Sequence, residues 1–445
     1  MEHHAQSIDD ALISGLSYKM KAGASYVTNR RSVSYFSSGG NSYSSSGVRV
    51  LKFNLTGDQW LDPSTLRVAF TLNNDTTAAE NKLIQPLSWN PAIFFRRARV
   101  IAGGQILEDI DDFNRLSMML TCLKPRDEQL MIASEGFGSF DDKGPGVTEA
   151  GGGVQDDRKN YRTDDYDIGG YVEPAGSRRV LFKPMFGLLH QEKLLPLRYC
   201  PIQIELELVN QGADAVHVGT SLNGQTSDSD QWNMSDAQIK CDLVTLDNSL
   251  ENEYASHLLS GKSLPINFST WNHTNQSTGN DKNFSAHVNR ALTRLKSVFI
   301  TLAQTDKAYY KTANDFFHPI SQSTTINRGF RDDHSYWVQI GSKNMPEYPV
   351  NSVSESLYQL RKTVGQPFFM HERWYRHNKY IIGLDMEKVS GAGFTGISTK
   401  AGDLMTLNFR DCDIDGLVSI PSRVFCALNY DVVLNIKGSG VEMLD

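Results

Sequence analysis

At 445 residues the chain is too long for one ordinary core, and two domains of roughly 200 residues fit it. A net charge of −7, from 44 Lys and Arg against 51 Asp and Glu, excludes a protein that coats nucleic acid by itself, because neutralising phosphates takes clustered cations. Hydrophobic residues make up 40% of the chain, yet no apolar run approaches the ~20 residues that span a bilayer. The opening MEHHAQSIDDALISG carries acids in place of a basic n-region and does not read as a secretory signal, so Asn54, Asn267 and Asn275 are expected to stay unglycosylated. Five scattered cysteines (Cys122, Cys200, Cys241, Cys412, Cys426) predict reduced thiols packed in apolar cores.

In chain order, residues 1–46 read as a flexible arm: a short apolar stripe (Ile8, Leu12, Leu16) leads into a Gly/Ser-rich piece that cannot bury enough surface to fold alone. Alternation then predicts strands over 48–55 and 66–72. Residues 100–110 (VIAGGQILEDI) predict a hairpin turning at Gly103-Gly104. A helix over about 112–123 follows, with Asp112 as cap and Phe113, Leu116, Leu120 and Leu123 as its apolar stripe. A long polar stretch (134–177) precedes strands at 179–183, 201–209 and 237–246, with a second polar stretch at 210–235. A helix at about 249–260, with Leu250, Tyr254 and Leu258 on one face, sits where two halves meet.

The second half repeats the order. Residues 338–345 (VQIGSKNM) give a strand and turn, and a helix at about 353–364 begins at the capping pair Ser352 and Glu355. Strands follow at 380–386, 403–409 and 424–436. The expected fold is all-β: two tandem jelly-roll β-sandwiches with short inserted helices. The expected divisions are 1–46 arm, 47–248 first jelly roll, 249–261 linking helix, 262–437 second jelly roll and 438–445 C-terminal tail.

Motifs that suggest chemistry are each better explained structurally. Gly391 to Gly396 spells G-x-G-x-x-G, but a strand follows where the dinucleotide motif needs a helix. Ser260-Gly-Lys-Ser263 follows a helix instead of a strand, so Gly261 reads as a helix end. Asp411, Asp413 and Asp415 begin like a calcium loop, yet position twelve is Ser422 where a bidentate Glu is needed, and a solvated turn is the main reading. Arg373, Trp374, Tyr375 and Arg376, flanked by His371 and His377, form a basic aromatic segment read as a subunit contact in preference to a nucleic-acid patch. Arg96, Arg97 and Arg99 alternate between two faces and make no single patch. Nothing in the sequence calls for a cofactor, a metal or a catalytic nucleophile.

Three stretches resemble one family. Residues 182–208 (FKPMFGLLHQEKLLPLRYCPIQIELEL), 241–257 (CDLVTLDNSLENEYASH) and 429–440 (NYDVVLNIKGSG) are similar to passages of the double jelly-roll major capsid proteins of eukaryotic DNA viruses, including virophages, polinton-like viruses and nucleocytoplasmic large DNA viruses. The second half departs from that pattern in lacking a counterpart of Leu195-Pro196-Leu197. The resemblance implies a structural, non-enzymatic protein of the virion, assembled inside the host cell. It also implies homotrimers of pseudo-hexagonal outline that tile an icosahedral shell, with penton and minor capsid proteins as further partners. The alternative is a tandem β-sandwich carbohydrate-binding or attachment protein, with Trp232 and Trp374 as stacking residues.

Overall fold

The computed structural model describes residues 27–80, 82–138, 170–216, 227–279, 281–303, 334–365, 370, 375, 379–389, 393–400, 405–412 and 421–445. Period-two alternation becomes sheet faces directly: Leu66, Val68, Phe70 and Leu72 are all fully buried. The first unit contains β1 (Val27–Phe36), β2 (Ser42–Tyr43), β3 (Val50–Leu55), β4 (Trp60–Asn74), β5 (Lys82–Leu83), β6 (Phe95–Ala102) and β7 (Gln105–Asp111). Helices α1 (Phe113–Leu123) and α2 (Arg126–Glu135) follow, then β8 (Ser177–Phe182), β9 (Leu195–Pro196), β10 (Ile202–Leu208), β11 (Ser227–Asp228) and β12 (Trp232–Leu246). Helix α3 (Asn248–Leu259) leads to β13 (Leu264–Ser277), β14 (Phe284–Val288), β15 (Leu295–Ala303), β16 (Ser335–Ile340) and β17 (Lys343–Val350). Helix α4 (Val353–Val364), β18 (Ile381–Asp385), β19 (Met405–Arg410), β20 (Arg423–Lys437) and β21 (Gly440–Leu444) complete the second unit.

The main paths of the sheets match strand for strand, with β2 and β9 added beside the path in the first unit and β21 in the second. The first unit has β1-β12-β4-β8 and β3-β10-β6-β7; the second has β13-β20-β15-β18 and β14-β19-β16-β17. Each unit is therefore an eight-stranded jelly roll with a hairpin, β6-β7 or β16-β17, leading into a helix. Aromatic rings fill both interiors. Phe70 meets Phe95 edge-on at 5.8 Å in the first, and Phe284 stacks on Phe409 at 4.8 Å in the second. In the second, Tyr380 bonds both His334 and Ser356, tying α4 to the strands beside it.

Three expectations change. Residues 27–36 belong to no arm: β1 pairs antiparallel with β12 from Val27 opposite Leu246 to Phe36 opposite Gln238. Its edge position leaves both faces largely polar, with only Val33 and Tyr35 packed on the core, so period-two alternation is faint. Deleting residues 1–40 would therefore remove a sheet strand; residues 1–26 lie outside the described residues. Residues 440–444 are likewise no tail, because β21 pairs with β20 from Val433 to Lys437. Finally, Asp112 adopts a left-handed conformation and makes no cap bond to α1. Its side chain is engaged elsewhere.

The other helix ends behave more closely as expected. Ser352 accepts from the Glu355 backbone N–H, and the Glu355 carboxylate accepts from the Asn351 N–H. Asp247 caps α3 by accepting from the Ser249 N–H, and Gly261, at φ +80°, terminates the helix. Along α3, Leu258 is buried and Tyr254 half-buried, with the Tyr254 ring 5.0 Å from Trp60 in a small cluster completed by Val244 and Leu246. Full burial would predict a loss of about 3–5 kcal/mol on truncation. Half-burial lowers the expected cost of Tyr254→Ala to about 1–2 kcal/mol, measured by urea unfolding.

Candidate functional site: the seam between the two sandwiches

The most developed polar constellation among the described residues lies where the first sandwich meets the second. It begins with one acidic residue in a mostly buried stretch of β7. Glu108 is 2% exposed, and its carboxylate accepts from the backbone N–H groups of Gly187 and Leu188, at 2.8 and 2.9 Å, and from the Thr270 hydroxyl of β13. Burial pushes the Glu108 carboxyl up, and these three donors pull against that without reversing it. Gly187 is required by space: a Cβ there would sit 2.0 Å from the Ser269 carbonyl oxygen. The short helical turn Gly187–Leu189 thus lies directly on the β13 backbone.

Two further contacts flank Glu108. Asp112 lies 3.4 Å from His273 Nδ1, an ion-pair distance without good hydrogen-bond geometry, and accepts from Asn275. Burial raises the Asp112 carboxyl, but His273 and Asn275 outweigh it and hold the group below the ordinary carboxylate value. Arg115 of α1 is 6% exposed; it donates to Thr301 Oγ1 and the Leu302 carbonyl, with its guanidinium 4.1 Å from the Phe425 ring centre. At the rim, Lys193 donates to the Pro265 carbonyl at 2.7 Å. Such a set fixes one lobe against the other, since buried polar groups hold only in the geometry that satisfies them.

The residues singled out from the sequence distribute differently. Arg373, Trp374 and Arg376 lie outside the described residues, as do His371 and His377. Tyr375 is fully buried, its hydroxyl donating to the Ile381 carbonyl at 3.1 Å and its ring 5.3 Å from Tyr380. It is a core residue of the second sandwich and is not available as a surface contact. Asp413 and Asp415 lie outside the described residues, while the Asp411 N–H donates to Asn283 in a left-handed turn. Among the described residues no cluster of His, Cys, Asp and Glu is placed to hold a metal. Gly396 bridges Glu387 across a turn between strands, with no helix opening there.

Two of the three arginines at 96–99 are neutralised locally, while exposed Arg96 donates to the Asn210 amide oxygen. Arg97 pairs with Asp109 at 2.6 Å and Asp111 at 3.4 Å, and Arg99 with Glu205 at 2.7 Å. Trp232 is buried and donates to the Gly212 carbonyl, so it offers no face to a sugar. All five cysteines are buried and free. Burial pushes the thiols of Cys200, Cys241, Cys412 and Cys426 up to about 12, out of the nucleophilic range. Thiol titration of denatured protein should return five, and reductant should leave the melting temperature unchanged; a count below five would overturn this.

No family model and no curated protein sequence matches the chain. Solved structures do match its fold. A structure of PBCV-1 VP54, fitted into a reconstruction of the virophage Sputnik, aligns with a TM-score of 0.59 at 9% identity, covering 94% of this chain and 97% of that one. The Faustovirus major capsid protein aligns with a TM-score of 0.57 at 8% identity, over 92% of this chain and 90% of that one. A chain from the structure of the Sputnik virophage gives 0.56 at 10%, over 94% and 88%. The class defined by the fold is the double jelly roll, and the alignments extend over more than nine-tenths of the chain. At these identities the likeness is one of fold.

Proposed function

We propose that this chain is a major capsid protein: a structural subunit that assembles with copies of itself into trimers of pseudo-hexagonal outline, which tile an icosahedral virus shell. The observation that carries the reading is the duplication. Two sandwiches of identical sheet order are locked side by side by a buried polar seam, so one chain presents two equivalent lobes and three chains present six. The end-to-end likeness to VP54 and to the Faustovirus major capsid protein supports it. Function then consists of large contacts between copies, with apolar centres and polar rims. Its location is the virion, after assembly in the host cell, with penton and minor capsid proteins as further partners.

Light scattering on the purified full chain is the test. A mass three times that of the chain, or a shell, is expected. A monomer stable at high concentration would overturn the proposal.

A further inference from the structure

We propose that the outward face of the second sandwich carries a binding site for a carboxylate-bearing sugar, built by Trp337, Asn408 and Arg410. The site goes beyond assembly, since it belongs to one sheet of one chain. It arises from alternation in β14, β19 and β16. Phe284, Phe409 and Tyr336 are buried on the core side, so their neighbours Ser285, Asn408 and Trp337 face outward. The register sets these in one row, with Asn408 directly opposite Ser285 on one side and Trp337 on the other. Together with Asn283 and Arg410 they line an open cleft of about 200 Å³.

The cleft holds hydrogen-bond donors that nothing uses. The Asn408 amide oxygen accepts from the Ser285 hydroxyl at 2.8 Å, but its Nδ2 is buried with no acceptor. Asn283 spends its oxygen on the Asp411 N–H, which leaves its own amide N–H₂ for a ligand. Among the described residues Arg410 meets no carboxylate, whereas Arg30, Arg67, Arg97, Arg99 and Arg179 on other strands each do. Its guanidinium carbon lies instead 4.9 Å from the centre of the Trp337 ring. Stacking engages the guanidinium plane and leaves the N–H edge to grip an oxyanion with two bonds.

The ligand follows from this inventory. The unspent groups are donors, so the ligand must bring acceptors. Among the described residues Arg410 is the one charged group lining the cleft, and it calls for an anion. A planar carboxylate matches its fork. Half-buried Trp337 adds apolar ring surface, which suits the C–H groups of a pyranose, while ring hydroxyls accept from Asn283 and Asn408. A lone Arg on a chain of net charge −7 does not follow a polyphosphate backbone, so nucleic acid fits the cleft poorly.

Saturation-transfer NMR on the purified full chain, in whatever assembly state it adopts, is the test. Methyl glucuronide is the probe and methyl glucoside its neutral control. Transfer to the glucuronide is expected, with none to the glucoside. Arg410→Gln, at an exposed position, should weaken glucuronide binding roughly tenfold by removing the bidentate charged contact. Trp337→Ala should weaken it too, and Trp337→Tyr, which keeps an aromatic face, should restore most of it. Should Trp337→Ala misfold by circular dichroism, Arg410→Gln decides alone. No transfer to the glucuronide, equal transfer to both sugars, or a signal untouched by Arg410→Gln would overturn the proposal. Full displacement by equimolar sodium acetate would reveal an anion site without sugar contact, and preferred transfer to a short oligothymidylate would assign the cleft to nucleic acid; either result also defeats it. The capsid reading is decided separately, by the mass of the assembly.

Discussion

Glu108→Ala is expected to destabilise the protein by about 2–5 kcal/mol, because the N–H groups of Gly187 and Leu188 lose their acceptor in a water-free site and each orphan costs about 1–3 kcal/mol. Glu108→Gln should recover only part of that loss, since its amide can accept from one donor while turning an N–H₂ toward another. The pH dependence has a definite sign. Burial raises the folded-state value of Glu108 above its ordinary 4.5, so its contribution is fully present below that value and is lost as pH rises through the folded one. Asp112 runs the other way: its depressed folded value makes its contribution present above the ordinary 3.8 and lost as pH falls through the folded value. Glu108→Gln should therefore flatten the decline in stability on the alkaline side of pH 4.5 and leave the acid limb in place. Chemical unfolding across pH 3–8 for both chains measures this; parallel curves would show that Glu108 does not titrate in that window.

Gly187→Ala is expected to disturb the seam by steric means alone. The added Cβ would lie 2.0 Å from the Ser269 carbonyl oxygen and 2.8 Å from its carbon, both backbone atoms that cannot swing aside. Overpacking of this kind costs about 1–3 kcal/mol, and the upper end applies because β13 itself must shift. Moving β13 also pulls Thr270 from Glu108, so the double variant Gly187→Ala/Glu108→Ala should cost less than the sum of the single changes. Strict additivity in urea unfolding would mean that the two residues act on separate parts of the join.

Much of the architecture could be read from residue patterns. The strands matched by order between the halves, 179–183 with 380–386, 201–209 with 403–409 and 237–246 with 424–436, correspond to β8 with β18, β10 with β19 and β12 with β20, which hold equivalent places in their sheets. Those strands each bury at least one face, and burial writes hydrophobicity into sequence. β1 escaped because an edge strand, exposed along most of its length, need not alternate. The seam was illegible for a different reason: Glu108 and Thr270 are 162 residues apart, and neither a Glu in a strand nor a Thr in a strand announces a partner. Tyr375 misled because Trp, Tyr and Arg in a row have the composition of an exposed contact, while its own side chain fills a core. Gly187 gave no hint, since a glycine needed for close approach looks like any other glycine in a loop.

The apolar interior does not stop at the join. Buried side chains of β4, β7, β13, β15 and β20 belong to one contiguous cluster, and the core of each lobe continues into the other. Duplication of a shape has thus not produced two independent foldable parts. Each lobe has apolar side chains covered only by its twin, so a chain cut at α3 is expected to expose apolar surface that the intact molecule buries. Heat or denaturant should meet a single cooperative body, and damage in one lobe will be felt in the other. For a subunit that must keep a fixed outline, that sharing of one interior gives rigidity that a flexible linker between two self-sufficient modules could not.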